Sequence, residues 1–380
     1  MINVVISGYA RSPFTLAHKG ALARVRPDEM VGQVIKALVE RTGVEPEDIE
    51  DVIMGCAFPE GEQGFNLGRI AVFLAGLPQS VAGTTVNRFC GSSMQSIHMA
   101  AGAIQLDAGE AFICAGAESM TRVPMTGFNP APHPGLYESG TDVYISMGQT
   151  AENLANKYDI SRESQQAFAV ASHQKAASAR ANGGFADEIV PIIVGNLRVE
   201  TDGGIREDSS QEVLDTLEPA FDKTGTVTAG TSSPLTDGAA AVLICTEDYA
   251  DRKGLPKLAR IKSVGVSGCA PEIMGIGPVA ATAKALLRAR LEMKDIDVVE
   301  LNEAFSAQAL AVIKEAKFDE KKINLDGGAI ALGHPLGATG ARITGKAASL
   351  LHREGAKFAL ATQCIGGGQG IATVLEACDG

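Results

Sequence analysis

Two cysteines stand where the backbone can bring a thiol close to a ligand. Cys90 lies in NRFCGSS and Cys364 in TQCIGGGQG, each within two residues of a glycine, which lets the chain bend and approach closely. Apolar residues at helical spacing follow Cys90 and predict a helix with the thiol at its N-terminus. The peptide dipoles there favour the thiolate and lower its pKa from about 8.5. Cys90 is therefore a candidate nucleophile.

A histidine on a glycine-rich turn is the candidate base for that thiol. His334 lies in GGAIALGHPLGATGA, and Pro335 after it fixes the local path of the chain. The three glycines after Cys364 offer backbone N–H groups that can converge near a thiol, as an oxyanion hole requires. The remaining histidines have no such setting and are predicted to be surface or core residues: His18, His98, His133, His173 and His352.

A duplication places Cys90 and His334 in equivalent turns. Short apolar runs alternate with amphipathic helical patterns, which predicts an α/β protein. Residues 37–58 resemble residues 285–305, and both halves continue alike through a glycine-flanked turn and a further strand. Asp48 and Asp295 are 247 residues apart, and Cys90 and His334 are 244 apart. A pseudo-twofold axis relating the halves would bring the two turns together.

A change in amino-acid composition marks an insertion between the halves. Residues 119–235 hold proline- and glycine-rich sequence, one predicted long helix from about 148 to 181, and a polar run. This is too long for a structureless loop, and we expect a subdomain that covers the junction. The predicted domains are an N-terminal half of residues 1–118 with about 236–256, the inserted segment, and a C-terminal half of residues 257–380.

Composition excludes several classes of function. The chain has 380 residues and a net charge of −12, which disfavours binding to nucleic acid or anionic membrane surfaces. Its seven cysteines show no CxxC pair or zinc spacing, so neither a disulfide framework nor a metal site is expected. No apolar stretch approaches the roughly 18 to 20 residues of a membrane span, and the first residues lack the pattern of a secretory signal. A cytoplasmic protein is expected.

Seven segments together resemble the thiolase family, the acyl-CoA C-acyltransferases, and run in order through the whole chain. The resemblance implies two duplicated βαβαβαββ halves in a five-layered α-β-α-β-α arrangement with an inserted loop domain. It also implies a ping-pong reaction through an acyl-cysteine. The segments are VNRFCGSSMQSI, AGAESM, GTVTAGTSSPLTDGAAA, MGIGPV, ELNEAFSAQ, GGAIALGHPLGATGAR and CIGGGQG.

The same resemblance assigns catalytic roles. Cys90 would take the acyl group, His334 would activate that thiol, and Cys364 would move the α-proton of acetyl-CoA. Asn302 would hold a water that forms one oxyanion hole with His334. The N–H groups of Cys90 and Gly366 would form a second. Coenzyme A is implied as substrate and product, with no metal and no tightly bound cofactor. The implied CoA and substrate contacts are Ser233, Arg206, Met147, Phe221, Ala304 and Phe305.

Departures from the family pattern bear on the substrate. The segment between ESM and MGQTAEN is short, and Ser146 stands where the acetoacetyl-CoA branch carries histidine. We therefore expect a degradative 3-ketoacyl-CoA thiolase, with an acetoacetyl-CoA thiolase as the alternative. A decarboxylating condensing enzyme shares the duplicated fold but pairs its cysteine with two histidines. A non-catalytic CoA- or lipid-binding module would have lost one of Cys90, His334 or Cys364. The family commonly forms homodimers or homotetramers.

Overall fold

Strands and helices alternate along most of the chain in the computed structural model, which describes residues 2–378. The strands are β1 (Val4–Arg11), β2 (Thr15–Leu16), β3 (Ile49–Gly55), β4 (Ala82–Val86), β5 (Ala111–Ser119), β6 (Ile192–Val194), β7 (Leu197–Val199), β8 (Thr236–Thr246), β9 (Ala259–Gly268), β10 (Val298–Leu301), β11 (Phe358–Ile365) and β12 (Gln369–Glu376). The α-helices are α1 (Pro27–Thr42), α2 (Leu67–Leu74), α3 (Ser92–Gln105), α4 (Pro134–Glu138), α5 (Met147–Tyr158), α6 (Arg162–Ala181), α7 (Gln211–Asp215), α8 (Glu247–Lys253), α9 (Gly277–Ala289), α10 (Ser306–Ala316), α11 (Ala329–Leu332) and α12 (Leu336–Glu354). Short 3-10 turns lie at Ala21–Arg24, Pro46–Asp48, Gly61–Gln63, Asp142–Tyr144, Ala229–Thr231, Pro271–Ile276, Met293–Asp295 and Glu320–Lys322.

The sheet confirms the predicted duplication. Its strand order is β10-β11-β12-β9-β1-β8-β5-β3-β4, with β2 added beside β8. Read outward from the centre, β1-β8-β5-β3-β4 matches β9-β12-β11-β10. The equivalent strands β1 and β9 pair antiparallel, with Val5 opposite Arg260 and Ile6 opposite Ala259. The second half departs from the repeat beside β10, where the counterpart of β4 is a bridge between Val299 and Ile323.

Apolar faces on both sides of the strands produce the five predicted layers. Along β5, Ile113 packs in one apolar cluster with helix α1, whereas Phe112 and Cys114 pack in another with α3 and α12. A strand buried on both faces reads as a nearly continuous apolar run, as AFICAG does. A third cluster joins α9 and α10 to the outer face of the second half. Helices α3 and α12 thus form the central layer.

Close approach of α3 and α12 draws the two predicted turns together. A Cβ added to Gly340 would lie 2.2 Å from the Met94 nitrogen, so only glycine permits this helix contact. The Ser93 hydroxyl accepts a hydrogen bond from the Ala341 N–H at 2.8 Å. Because Cys90 and His334 each lie two residues before one of these helices, the packing fixes the turns that carry them.

The segment between β5 and β8 contains α4 to α7 and the β6–β7 hairpin. The prediction of one long helix was wrong, because α5 ends at Tyr158. Asp159 after it is in the left-handed conformation (φ 54°), and Ser161 caps α6. The fully buried Arg11 ties this segment to β1, with two hydrogen bonds to Asp202 at 2.7 and 2.8 Å. The domain boundaries given above stay a prediction.

Candidate active site

A strained turn presents Cys90 between β4 and α3. Phe89 before it has φ 43°, a left-handed conformation that an aromatic residue rarely adopts. The Asn87 side chain stabilises the turn by accepting from the Phe89 N–H at 2.8 Å and donating to the Ala57 carbonyl at 2.9 Å. Cys90 follows at the tip, two residues before α3 begins. Its position before a helix confirms the sequence interpretation.

The acidity of Cys90 differs from the prediction. Burial raises the pKa of the thiol to about 11. Hydrogen bonds from the N–H groups of Gly366 and Cys90 itself lower that pKa, and the Glu118 carboxylate raises it. The predicted lowering was wrong because desolvation outweighs the favourable backbone dipoles. At neutral pH Cys90 is a thiol, so its reaction requires a base that removes the proton.

The position and the neutral state of the His334 imidazole suit it to act as that base. Its Nδ1 lies 2.6 Å from the Thr339 hydroxyl, which donates its own proton to the Pro335 carbonyl at 3.1 Å. Thr339 therefore accepts from Nδ1–H, and the Nε2 lone pair is left available. Burial, followed by the nearby Arg342, lowers the pKa of His334 to about 3. The imidazole is neutral with a fixed tautomer.

Asn302 faces the Nε2 atom of the His334 imidazole. Its Nδ2 lies 3.4 Å from His334 Nε2, which fits the acceptor role that Thr339 imposes on Nε2. The side chain is fully buried, and its Oδ1 has no hydrogen-bond partner among the described residues. Because buried polar atoms are nearly always satisfied, this oxygen is suited to bind a polar ligand atom or a water.

Cys364 contributes a second buried thiol close to the first. It lies near the carboxyl end of β11, fully buried, and burial followed by Cys90 raises its pKa well above the ordinary range. The turn after it uses positive φ at Gly367 (77°) and Gly368 (82°), which glycine adopts without strain. This turn brings the Gly366 N–H to Cys90. Both thiols are free of disulfide bonds.

The residues predicted to contact substrate divide into two groups. Met147, Ala304 and Phe305 pack around Cys364, and the half-exposed ring of Phe221 meets Phe305 edge-on at 5.8 Å. The Ser233 N–H joins them by donating to the Ala304 carbonyl at 3.0 Å.

Arg206 does not belong to the cluster around Cys364. It is exposed and lines a cavity of about 370 Å³ together with Leu16 and Ser232. Its backbone N–H donates to Nδ1 of the buried His173 at 3.1 Å. No chemical role was predicted for His173, which here fixes the wall of this cavity.

Two residues that shape the site were not identified from the sequence. Thr339 lies five residues after His334 on the first turn of α12, and a hydroxyl at that spacing is the signal that was missed. Glu118, at the end of β5 in the AGAESM segment, accepts from the N–H groups of Ala57 (2.8 Å) and Gly337 (2.9 Å). This buried carboxylate therefore ties β5 to the loop after β3 and to the start of α12.

Residues 2–378 contain no group of three or more histidine, cysteine or acidic side chains that could hold a metal ion. Over the same residues, no helix has the length and apolar character that crossing a membrane demands.

Comparison with known families accounts for nearly the whole chain. The description "Thiolase, N-terminal domain" matches residues 4–248, and "Thiolase, C-terminal domain" matches residues 255–377. The chain belongs to the thiolase family. Thiolases use CoA esters as substrates. Among curated relatives, this thiolase is 48% identical to the 3-ketoacyl-CoA thiolase of Bacillus subtilis, covering 99% of both chains. It is 50% identical to that of Aliivibrio salmonicida, covering 99% of this chain and 100% of the relative.

Solved structures confirm the thiolase fold. The acetyl-CoA acetyltransferase of Bacillus anthracis superposes with a TM-score of 0.92 at 40% identity, over 100% of this chain and 99% of the other. Human mitochondrial 3-ketoacyl-CoA thiolase in complex with CoA also gives a TM-score of 0.92, at 39% identity, over 100% and 98% of the chains.

Proposed function

We propose that this thiolase is a 3-ketoacyl-CoA thiolase of fatty-acid degradation that cleaves 3-ketoacyl-CoA with CoA to acetyl-CoA and a shortened acyl-CoA. The observation that carries the proposal is the pairing of two buried thiols, Cys90 and Cys364, with the neutral imidazole of His334 where the duplicated halves meet. One thiol can act as nucleophile while the other moves a proton to or from carbon. The 3-ketoacyl-CoA thiolases that are 48% and 50% identical over their full length support this substrate class.

The first half-reaction forms an acyl-enzyme. Cys90 Sγ attacks the C3 carbonyl of the substrate as His334 Nε2 takes the thiol proton. The N–H groups of Cys90 and Gly366 stabilise the tetrahedral oxyanion. Its collapse breaks the C2–C3 bond and leaves the acetyl-CoA enolate. Asn302, through a bound water, and the protonated Nε2 of His334 hold the enolate oxygen, and the Cys364 thiol gives its proton to carbon.

The second half-reaction returns the enzyme to its starting state. The Cys364 thiolate takes the proton of the CoA thiol, whose sulfur attacks the acyl thioester of Cys90. The tetrahedral intermediate is held by the same two N–H groups and collapses to acyl-CoA. The Cys90 sulfur leaves and recovers its proton from His334. Every proton moved in the first half is thereby restored.

Contacts to CoA follow from the two groups of residues described above. We propose that Met147, Phe221, Ala304 and Phe305 line the channel to Cys364, with Ser233 beside the pantetheine arm. Arg206 would meet the adenine and ribose end at its separate cavity, because it is an exposed cation near a polar wall. The thiolase with 39% identity that was solved with CoA supports a CoA site in this fold.

A chain-length series tests the activity. CoA-dependent thiolysis would be measured from acetoacetyl-CoA to a medium-chain 3-ketoacyl-CoA, with Cys90→Ala as the blank. Cys114→Ala is the matched control, because Cys114 is also a buried thiol but packs between β5 and the central helices. We expect kcat/KM on the longer substrates to equal or exceed that on acetoacetyl-CoA. Activity confined to acetoacetyl-CoA would make the chain an acetyl-CoA C-acetyltransferase, and the absence of Cys90-dependent turnover would reject the mechanism.

A homodimer is the proposed assembly. Strand β4 lies at the end of the sheet order and offers backbone groups to a second strand. Beside it, the Phe65 side chain is fully exposed and Phe73 is 51% exposed. Exposed aromatic side chains next to an open strand suit a second copy of the chain. The double variant Phe65→Asp with Phe73→Asp is expected to sediment as a monomer, whereas an unchanged sedimentation coefficient would locate the interface elsewhere.

The proposed compartment is the cytoplasm. Catalysis through Cys90 and Cys364 requires both sulfurs to stay reduced, a condition that the cytosol provides.

A further inference from the structure

One buried asparagine outside the catalytic set holds the loop that carries Asn302. We propose that Asn324 is a positioning residue whose side-chain amide replaces the backbone of a strand that the second half lacks, and so fixes Asn302 against His334. This inference rests on the proposed function, because it concerns the step in which Asn302 acts.

The two halves differ beside the strand that leads into the site. In the first half, β4 pairs with β3 over five residues, from Asp51–Ala82 to Gly55–Val86. In the second half, the equivalent strand β10 pairs with β11 on one side. On its other side, within residues 2–378, only Val299 has a backbone bridge, to Ile323. Backbone groups of β10 beyond Val299 on that edge therefore need other partners.

Asn324 supplies those partners. Its backbone N–H donates to the Val299 carbonyl at 2.8 Å. Its Oδ1 then accepts from the Leu301 N–H at 2.9 Å, and its Nδ2 donates to the Leu301 carbonyl at 2.9 Å. One primary amide thus satisfies both backbone groups of Leu301, as a paired strand would. The hydrogen bonds along this edge of β10 thus continue, through the Asn324 side chain, to Leu301, which directly precedes Asn302.

The same amide also acts on the residue after Asn302. Nδ2 of Asn324 donates to Glu303 Oε1 at 2.7 Å. The other oxygen of Glu303 accepts from the Ser172 hydroxyl at 2.7 Å and from the Ile330 N–H at 3.1 Å. Asn302 is therefore clamped from both neighbours along the chain, and its own N–H donates to the Thr362 carbonyl at 3.0 Å.

Asparagine alone meets the demands of this position. Asn324 has φ 46° and is 1% exposed. Asparagine tolerates the left-handed conformation better than most residues, and its amide carries two donors and an acceptor on a short arm. Aspartate keeps the acceptor but has no donor for Leu301 or Glu303. Glycine fits the backbone but offers neither group.

The proposal predicts a selective defect. Asn302 acts on the enolate formed when the C2–C3 bond breaks, whereas transfer of an acyl group between Cys90 and CoA uses the Cys90 and Gly366 N–H groups. A misplacement of about 1 Å can lower a rate on the order of a hundredfold. Loss of the Asn324 amide is therefore expected to slow carbon–carbon cleavage by at least about tenfold while changing acyl transfer little.

Two assays on one preparation separate these steps. Exchange of labelled CoA into acetyl-CoA reports acyl transfer, and single-turnover release of acetyl-CoA from a 3-ketoacyl-CoA without added CoA reports carbon–carbon cleavage. The variants are Asn324→Gly and Asn324→Asp. Lys317→Gly is the control, because Lys317 is also left-handed (φ 55°) but exposed at the end of α10. Both rates are expressed per active Cys90, counted as the acetyl-enzyme that forms from labelled acetyl-CoA, so partial unfolding leaves their ratio unchanged.

The outcomes are distinct. A ratio of cleavage to exchange that falls at least about tenfold in both Asn324 variants, but not in Lys317→Gly, supports the positioning role. Equal loss of both rates, or no loss, overturns it. Absence of cleavage in the unaltered enzyme would instead reject the proposed function, so the two failures are told apart.

Discussion

Replacing Thr339 by valine tests whether one hydroxyl sets the tautomer of the catalytic imidazole. Valine keeps the branched shape of threonine but removes the acceptor for His334 Nδ1–H. Thr339 is fully buried and its hydroxyl is the partner that the structure gives to this nitrogen. The substitution therefore leaves a buried N–H without a partner, or lets the ring take the tautomer in which Nε2 carries the proton. In the first state, the positive charge that develops on the ring as Nε2 takes the Cys90 proton loses its hydrogen-bond acceptor. In the second state, Nε2 has no lone pair to take that proton.

The size of the effect follows from the burial. An unsatisfied buried donor costs about 1–3 kcal/mol, and about 1.4 kcal/mol corresponds to a tenfold change in rate. Imidazole in the active tautomer is required in the transition state for acylation, so this cost is expected to appear in the reaction barrier. Thr339→Val should lower kcat/KM for thiolysis roughly tenfold to a hundredfold.

Two matched variants make the measurement specific. Thr339→Ser keeps the oxygen and should stay within a few-fold of the unaltered enzyme. Thr344→Val removes a buried hydroxyl that donates to the Gly340 carbonyl at 2.7 Å in the same helix, yet it leaves His334 untouched. Thiolysis would be followed across pH for all three. If Thr339→Val and Thr344→Val were equally active, the hydroxyl would not govern the imidazole and the reasoning would be refuted.

Three further predictions concern acidity and packing. Alkylation of Cys90 by iodoacetamide should accelerate about tenfold per pH unit from neutrality towards pH 11, since burial raises the pKa of the thiol to about 11; a plateau near pH 7 would show a preformed thiolate. Burial also raises the pKa of the Glu300 carboxyl group from 4.5 to about 7, so the native state binds a proton at Glu300 more tightly than the unfolded state does. The stability that this proton contributes is lost as pH rises through about 7. Relative to the unaltered chain, Glu300→Gln should therefore gain about 3 kcal/mol in unfolding free energy between pH 4.5 and 7.5 by urea titration, and a constant difference would contradict the shift. Gly340→Ala should lower the unfolding free energy by at least about 1–3 kcal/mol, because the added methyl meets the Met94 backbone; an unchanged urea midpoint would show that α3 and α12 can separate at no cost.

Much of the fold was predictable because the duplication is written in local patterns. Residue types and spacing alone match residues 37–58 to residues 285–305 and so pair the two halves, and the β1–β9 pairing shows where the halves join. The break at Asp159 was not predicted, since helical periodicity continues on both sides of it. A single left-handed residue redirects the chain there, and aspartate in a polar helix gives little warning of that conformation.

The active site, like the fold, was predictable only in part. The sequence indicated the nucleophile Cys90, the base His334 and the second thiol Cys364. Their roles could be predicted because they depend on the residue type and on the glycines next to it in the chain. The pKa of Cys90 was predicted in the wrong direction, because helix dipoles are visible in a sequence whereas burial by surrounding layers is not. Segments far from Cys90 along the chain surround its thiol, among them the turn that carries Gly366.

Glu118, Thr339 and Asn324 share the reason that they were missed. Each acts on a backbone group or on another side chain, and none has a chemistry that its own neighbourhood in the sequence reveals. Glu118 joins three segments through N–H groups, Thr339 orients an imidazole, and Asn324 completes a strand. Their roles depend on where the two halves contact each other or differ from each other. These roles can therefore be recognised only in the three-dimensional structure. Supporting residues of this kind are best sought where a duplicated fold departs from its own repeat, as it does at Ile323 and Asn324.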